Sequence, residues 1–188
     1  MQSPSLEQLE RQKYENVWTL PAYRKGSPGE CVVDEFISWI EGGSVIDLGC
    51  GTGRASLKIS KHAPVTMFDI SENCLDEDVK KVLSDNLVFK QGCLWDMKEP
   101  HHEYGFCCDV MEHIPTEKVR DVLGCIADTC SQVYFRIYLN PDSGAFVKEP
   151  LHLTVKPMDW WHKELRRHFH IDGMTHDRVS ATYFVRTK

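Results

Sequence analysis

The sequence predicts an α/β domain: a mostly parallel, doubly wound sheet with helices on both faces. Three observations predict it. Strand-length apolar runs alternate with segments of helical periodicity from Ser44 to the end of the chain, the pattern that builds a parallel sheet. Runs such as VIDL and FCC stay apolar or small at successive positions, which suits burial on both faces. The last two runs leave no room for a helix between them, so they are expected as an antiparallel edge pair.

Each element has its own signal. Leu6 to Trp18 reads as a helix with Leu6, Leu9, Tyr14 and Trp18 as contacts, ended by Pro21. Ser27-Pro28-Gly29-Glu30 reads as a capping box with proline at the first helical position. The helix it opens carries Val33, Phe36, Ile37 and Ile40 at helical spacing and stops at Gly42-Gly43. Ser44 to Leu48 is the first strand, and Arg54 to His62 a helix halted near Pro64. Val65 to Ile70 is the second strand. Ser71 is expected to cap a helix reaching about Ser84, with Leu75, Val79, Val82 and Leu83 turned inward. Leu87 to Cys93 and Tyr104 to Cys108 are the next strands, and Pro115 to about Cys130 is a helix. Gln132 to Leu139 is a strand and Pro157 to His168 a helix, with Trp161, Leu165 and Phe169 on its core face. Two strands follow from Phe169, the last being Ala181 to Arg186.

A chain of 188 residues suits one domain, here residues 1–188 with an N-terminal segment to residue 26 ahead of a core from 27 to 188. A net charge of −6 weighs against a broad nucleic-acid footprint. No apolar run has the length of a membrane span, and MQSPSLEQLERQ lacks the features of a signal peptide. A cytoplasmic location is therefore expected, with no membrane partner. Cysteines occur at 31, 50, 74, 93, 107, 108, 125 and 130, without a C-x-x-C pair. They read as small buried hydrophobes in a reducing compartment, and their spacing predicts no metal site.

VIDLGCGTGRAS, residues 45–56, places Gly49, Gly51 and Gly53 between a strand and a helix. Glycine permits the sharp turn and leaves the backbone open to a ligand, while the helix N-terminus offers unpaired N–H groups. The stretch reads either as a purely structural turn or as the cradle of a nucleoside ligand. Its spacing is G-x-G-x-G, not the G-x-G-x-x-G of a dinucleotide site, and no Walker lysine follows. Asp69, in MFDIS at the end of the second strand, stands where an acid accepts hydrogen bonds from ribose hydroxyls.

Together, VIDLGCGTG and MFDIS resemble the class I S-adenosylmethionine-dependent methyltransferases, a Rossmann-like family, from about Ser44 to the C-terminus. CCDVMEHIP is similar to that family's fourth strand and following turn. It lacks the N-P-P-Y or D-P-P-Y tetrapeptide and resembles the small-molecule branch. The resemblance implies a seven-stranded sheet with an antiparallel last strand, and S-adenosylmethionine as cofactor. It implies that the turn at 49–53, with Asp47 and Cys50, cradles the methionine and ribose, and that Asp69 holds the ribose. Ile70 would pack on the adenine, Cys93 and Leu94 would approach its edge, and Cys108 and Asp109 would join the site from the fourth strand. The family often has an acid where this chain has Cys93, so the backbone N–H of Leu94 is the expected substitute.

YENVWTLPAYRKGSPGE precedes the sheet. One reading packs it on the body with Arg24 solvated. The other makes it a lid, with Tyr14, Trp18 and Tyr23 facing the sulfonium and Arg24 pairing with the methionine carboxylate; Arg54 competes for that last role. NPDSGAFVKEPLHLTVKPMDWW supplies a second wall, with His152 and Trp160 as its notable members. His113 and His152 are the catalytic candidates, as near-neutral groups able to take a proton from an acceptor; for each, a packing or turn-orienting role is the other reading. The expected function is methyl transfer to a small-molecule acceptor. The other readings are transfer to protein or nucleic acid, or binding or breakdown of the cofactor without transfer. Dimerisation is one way for so short a chain to complete its substrate pocket.

Overall fold

The computed structural model describes residues 3–142, 147 and 150–188. Seven strands form one sheet: β1 (Val45–Leu48), β2 (Val65–Asp69), β3 (Leu87–Gln91), β4 (His102–Cys108), β5 (Cys130–Tyr138), β6 (Phe169–His176) and β7 (Ser180–Thr187). Their order is β3-β2-β1-β4-β5-β7-β6. The first five run parallel, and β7 inserts antiparallel between β5 and β6. The order reverses between β1 and β4, so the crevice of this open sheet lies at their carboxyl ends.

The helices are α1 (Leu6–Val17), α2 (Pro21–Arg24), α3 (Gly29–Trp39), α4 (Arg54–Ile59), α5 (Glu77–Lys80), α6 (Val119–Thr129) and α7 (Met158–Leu165). Alternation along each strand separates two cores. Ile46 and Leu48 of β1 face α6 and α7, in a cluster with Val122, Ile126, Trp161 and Phe169. Val45 faces the other way, with Val33 and Phe36 of α3, Ile59 of α4, and Phe106 and Tyr134. Phe36, Phe106 and Tyr134 interlock, with ring centroids 4.9 Å and 5.5 Å apart along the series, and the Tyr134 hydroxyl donates to Glu35 at 2.8 Å.

Two local expectations fail for identifiable reasons. No capping box forms at Ser27: the chain is already helical at Pro28, which caps α3 without a side-chain bond. The Ser27 hydroxyl instead lies 3.3 Å from that of Thr52 in the glycine turn. A true capping box closes α1, where Ser5 and Gln8 exchange side-chain and backbone bonds. The helix after β2 does not start at Ser71 or reach Ser84; α5 is four residues long. The Ser71 N–H is taken by Asp69, and a tight Ser84–Leu87 turn feeds β3, so Val82 and Leu83 are 49% and 43% exposed.

All eight cysteines are free thiols, and Cys31 is exposed rather than buried. Among the described residues, no helix is long and apolar enough to cross a membrane.

Candidate functional site

The turn after β1 is docked onto β2: the N–H groups of Gly49 and Cys50 both donate to the Phe68 carbonyl, at 2.8 Å and 3.1 Å. Gly49, Gly51 and Gly53 all have positive φ, at 78°, 50° and 76°, a region that disfavours residues with a Cβ. Each also lacks room for one. A Cβ on Gly49 would stand 2.5 Å from Val110, and one on Gly51 would stand 3.1 Å from the Trp18 ring. Gly53 borders neither of the two cavities described below. A Cβ there would stand 2.9 Å from Leu75 and Val79, so this glycine lets α4 pack against the segment after β2.

Two carboxyl groups are buried beside this turn. Asp69 accepts from the Gly51 N–H through Oδ2 and from the Ser71 N–H through Oδ1, both at 3.0 Å. Burial pushes its pKa up to about 6, against the lowering effect of these backbone donors. Asp47 receives a short hydrogen bond from the Ser56 hydroxyl. Burial raises it further, to about 7.

The carboxyl ends of the strands open into two adjoining cavities. The larger, about 340 Å³, is bordered by Asp47, Gly49, Cys50, Gly51, Cys108 and residues of the turn after β4 and the loop after β5 described below. The smaller, about 110 Å³, is bordered by Asp69, Ile70, Cys93, Leu94, Trp95 and Tyr14. Trp18, Tyr23, Gly49, Asp109 and His113 border both. Asp109 is the one non-glycine residue with positive φ among those described, at 53°. It is held by Arg136, whose Nη1 donates to its carboxylate at 2.5 Å. Its pKa is raised by burial and opposed by the guanidinium.

The N-terminal segment lies over this crevice. Trp18 and Tyr23 meet edge to face at 4.8 Å, and the buried Trp18 Nε1 has no partner among the described residues. Arg24 borders neither cavity. Its guanidinium donates to the carbonyls of Trp18, Asn73 and Leu75, at 3.3, 3.0 and 2.8 Å, and to Asp76 Oδ1 at 2.7 Å. Arg54 donates to the other Asp76 oxygen at 2.6 Å and to the Arg24 carbonyl at 3.1 Å. Both arginines that the sequence offers for a ligand carboxylate are therefore engaged with Asp76, where they tie the N-terminal segment to the segment after β2. Asp76 carries no motif, and only the fold shows this role.

On the far side of the larger cavity stand Glu112, His113, Tyr138 and His152. His113 sits in the 3₁₀ turn after β4; its Nδ1 is 2.9 Å from the Tyr14 hydroxyl and 3.1 Å from the Leu151 carbonyl. Burial, then the neighbouring His152, lowers its pKa to about 3, so the imidazole is neutral. His152 packs edge-on against it, with ring centroids 4.7 Å apart. The His152 Nδ1 lies 2.7 Å from the Asn140 carbonyl. Its loop is folded around Asp142, whose Oδ2 accepts the N–H groups of Leu151 and His152 at 2.5 Å and 2.9 Å. Glu112 is fully buried, and burial drives its carboxyl well above the usual range. Trp160 borders neither cavity and packs beside Trp161. Residues 143–146, 148 and 149 of the second wall lie outside the described residues.

Thus fourteen of the sixteen predicted site residues converge on these two cavities; Gly53 and Arg24 support them from behind. Tyr23, Glu112 and Tyr138 border the larger cavity too. Tyr23 has a sequence signal as a lid aromatic, while Glu112 and Tyr138 are brought there by the turn after β4 and the end of β5.

Residues 45–132 match the family model described as methyltransferase domain. The chain is 33% identical over 97 residues to the provisionally named methyltransferase YqeM of Bacillus subtilis, which covers 45% of this chain and 38% of that protein. Among solved structures it is similar to magnesium protoporphyrin IX methyltransferase (ChlM) from Synechocystis PCC 6803 with bound SAM: TM-score 0.72, 20% identity, all of both chains covered. It is equally similar in fold to the [4+2]-cyclase SpnF, with TM-score 0.75, 14% identity, and 100% and 98% coverage of this chain and that one.

Proposed function

We propose that this chain, whose fold is that of the class I methyltransferases, binds S-adenosylmethionine across the two cavities and transfers its methyl group to a small-molecule acceptor. The observation that carries the reading is the Asp69 carboxylate. It is buried at the end of β2, with one lone pair of each oxygen held by the backbone of the glycine turn and of Ser71. The remaining lone pairs suit a vicinal diol. The residues fit such a ligand in other ways: the glycines leave no side chain over the turn, and the Trp18 Nε1 is a buried donor awaiting an acceptor. Ile70, Cys93 and Leu94 make the smaller cavity an apolar slot of the kind a purine base enters.

The bound cofactor supplies a methyl group on a positively charged sulfur. The chain's part is to hold the acceptor atom in line with that methyl, to orient it and to exclude water. Trp18 and Tyr23 present aromatic surface where the two cavities meet, a favourable surrounding for a cation. On the acceptor side, the imidazoles of His113 and His152 border the larger cavity, where they can hydrogen-bond an acceptor.

A small acceptor is supported by the second wall that Leu151 and His152 give the larger cavity and by the negative net charge. The likeness to a cyclase favours one rival reading, since the fold by itself does not imply methyl transfer. Incubation with methyl-labelled S-adenosylmethionine and fractionated extract separates them. A labelled low-mass product with one equivalent of S-adenosylhomocysteine supports the proposal. Label in macromolecules, or cofactor breakdown without an acceptor, contradicts it.

A further inference from the structure

We propose that Glu112, His113 and His152 form a binding site for a divalent transition metal of the zinc class, open toward the larger cavity, where the ion takes an oxygen donor of the acceptor. The ligand set stands on its own; its assignment to the acceptor rests on the reading in the preceding section.

Three observations carry it. One ligand atom from each of these residues lies within 4.8 Å of the others. Metal–ligand bonds of about 2.0–2.2 Å place donors around one tetrahedral ion roughly 3.3–3.6 Å apart, so the three atoms close by about 1 Å to take up an ion. They come from two separate segments, the turn after β4 and the loop after β5, which the fold brings together.

Both imidazoles are also held by contacts to one ring nitrogen, and that of His152 is oriented for ligation. The Nδ1 of His152 faces the Asn140 carbonyl at 2.7 Å, and that of His113 faces the Leu151 carbonyl at 3.1 Å. A carbonyl only accepts, so the His152 Nδ1 carries the hydrogen and its Nε2 keeps its lone pair; the His113 Nδ1 is shared between the Leu151 carbonyl and the Tyr14 hydroxyl, at 2.9 Å. Metal-binding histidines are held in this way by a partner on the other ring nitrogen.

Glu112 is fully buried, and its Oε1 accepts the Tyr138 N–H at 3.1 Å. Its Oε2 has no partner among the described residues. The arginine on the neighbouring strand, Arg136, is paired with Asp109 instead. A buried carboxylate oxygen without a donor is costly, and a cation answers it. Two imidazoles and one carboxylate suit zinc or its neighbours better than magnesium or calcium, and three protein ligands leave positions open.

The test uses the full chain, stripped of metal with a chelator and titrated with Co²⁺ alone, read by visible d–d absorption. The expected result is one ion per chain with the bands of a nitrogen–oxygen site of low coordination number. His152→Ala and Glu112→Gln should each weaken binding by roughly 100-fold or more, beyond what loss of an outer-shell partner causes. His176→Ala, an exposed histidine outside the cluster, should leave it unchanged. Melting curves of the metal-free variants check that they fold; if Glu112→Gln does not, the half-buried His152→Ala decides. Absence of the bands in the wild-type chain, or bands that survive His152→Ala unchanged, overturns the inference. Calorimetry with S-adenosylhomocysteine is run in parallel. Cofactor binding without Co²⁺ binding defeats this site alone, whereas Co²⁺ binding without cofactor binding leaves the metal site standing and defeats its assignment to the acceptor.

Discussion

The Asp69 carboxylate and the Gly51 N–H meet at 3.0 Å, joining the end of β2 to the turn after β1. One bond thus couples the proposed ribose anchor to the shape of the glycine turn. Asp69→Ala removes both the ribose contacts and the partner of a buried N–H. Cofactor affinity should fall by about 1.5–3 kcal/mol, the range for hydrogen bonds to a charged group. Gly51→Val should do worse, because it forces a branched residue to φ 50° and into the Trp18 ring. Calorimetric titration of the folded variants checks both; unaltered affinity in both would mean the ligand lies elsewhere.

Arg24 and Asp76 hold the N-terminal segment over the crevice. Arg24→Ala removes bonds to three carbonyls and one carboxylate without removing a cavity wall. Cofactor affinity should drop by about 1–2 kcal/mol, a factor of about 5–30. Asp76→Asn should have an effect that overlaps it, since the two act through one contact. Affinities of the two single variants and the double variant test this: fully additive losses would show that Arg24 and Asp76 act independently.

Asp47 makes stability depend on pH. Its folded pKa of about 7 lies above the ordinary 3.8, because burial disfavours the charged form more than Ser56 favours it. The unfolded chain releases this proton near pH 4 and the folded chain near pH 7. Stability from this group is therefore full below pH 4 and lost as pH rises to 7. Asp47→Asn removes that loss, so the variant should gain on the wild type by about 2–4 kcal/mol between pH 4.5 and pH 8. Urea unfolding at the two pH values measures it; a constant difference would show that Asp47 titrates normally.

The sheet was legible in the sequence because its strands are apolar runs bounded by glycine, proline and acids, and because the glycine turn demands a strand before it and a helix after it. The short α5 was not. Leu75, Val79, Val82 and Leu83 keep helical spacing, yet only the first two are buried, since the turn into β3 ends the helix early. Spacing reports which residues are able to share a face, not where a neighbouring strand pulls the chain away. The partners of Arg24 were hidden for a similar reason. An arginine near a lid resembles a ligand clamp until its partners are known, and those partners, the carbonyls of Asn73 and Leu75 and the Asp76 carboxylate, lie some 50 residues on. The pairing of His113 with His152 joins two segments that no motif connects.

The central claim is that the crevice at the carboxyl ends of β1, β2 and β4 is a site for S-adenosylmethionine and not for a dinucleotide. Isothermal titration of the full chain with S-adenosylmethionine, S-adenosylhomocysteine and NAD tests it most directly. The account predicts one-to-one binding of the first two, weakened by Asp69→Ala, and no binding of NAD. Binding of NAD without binding of S-adenosylmethionine or its demethylated product would contradict it.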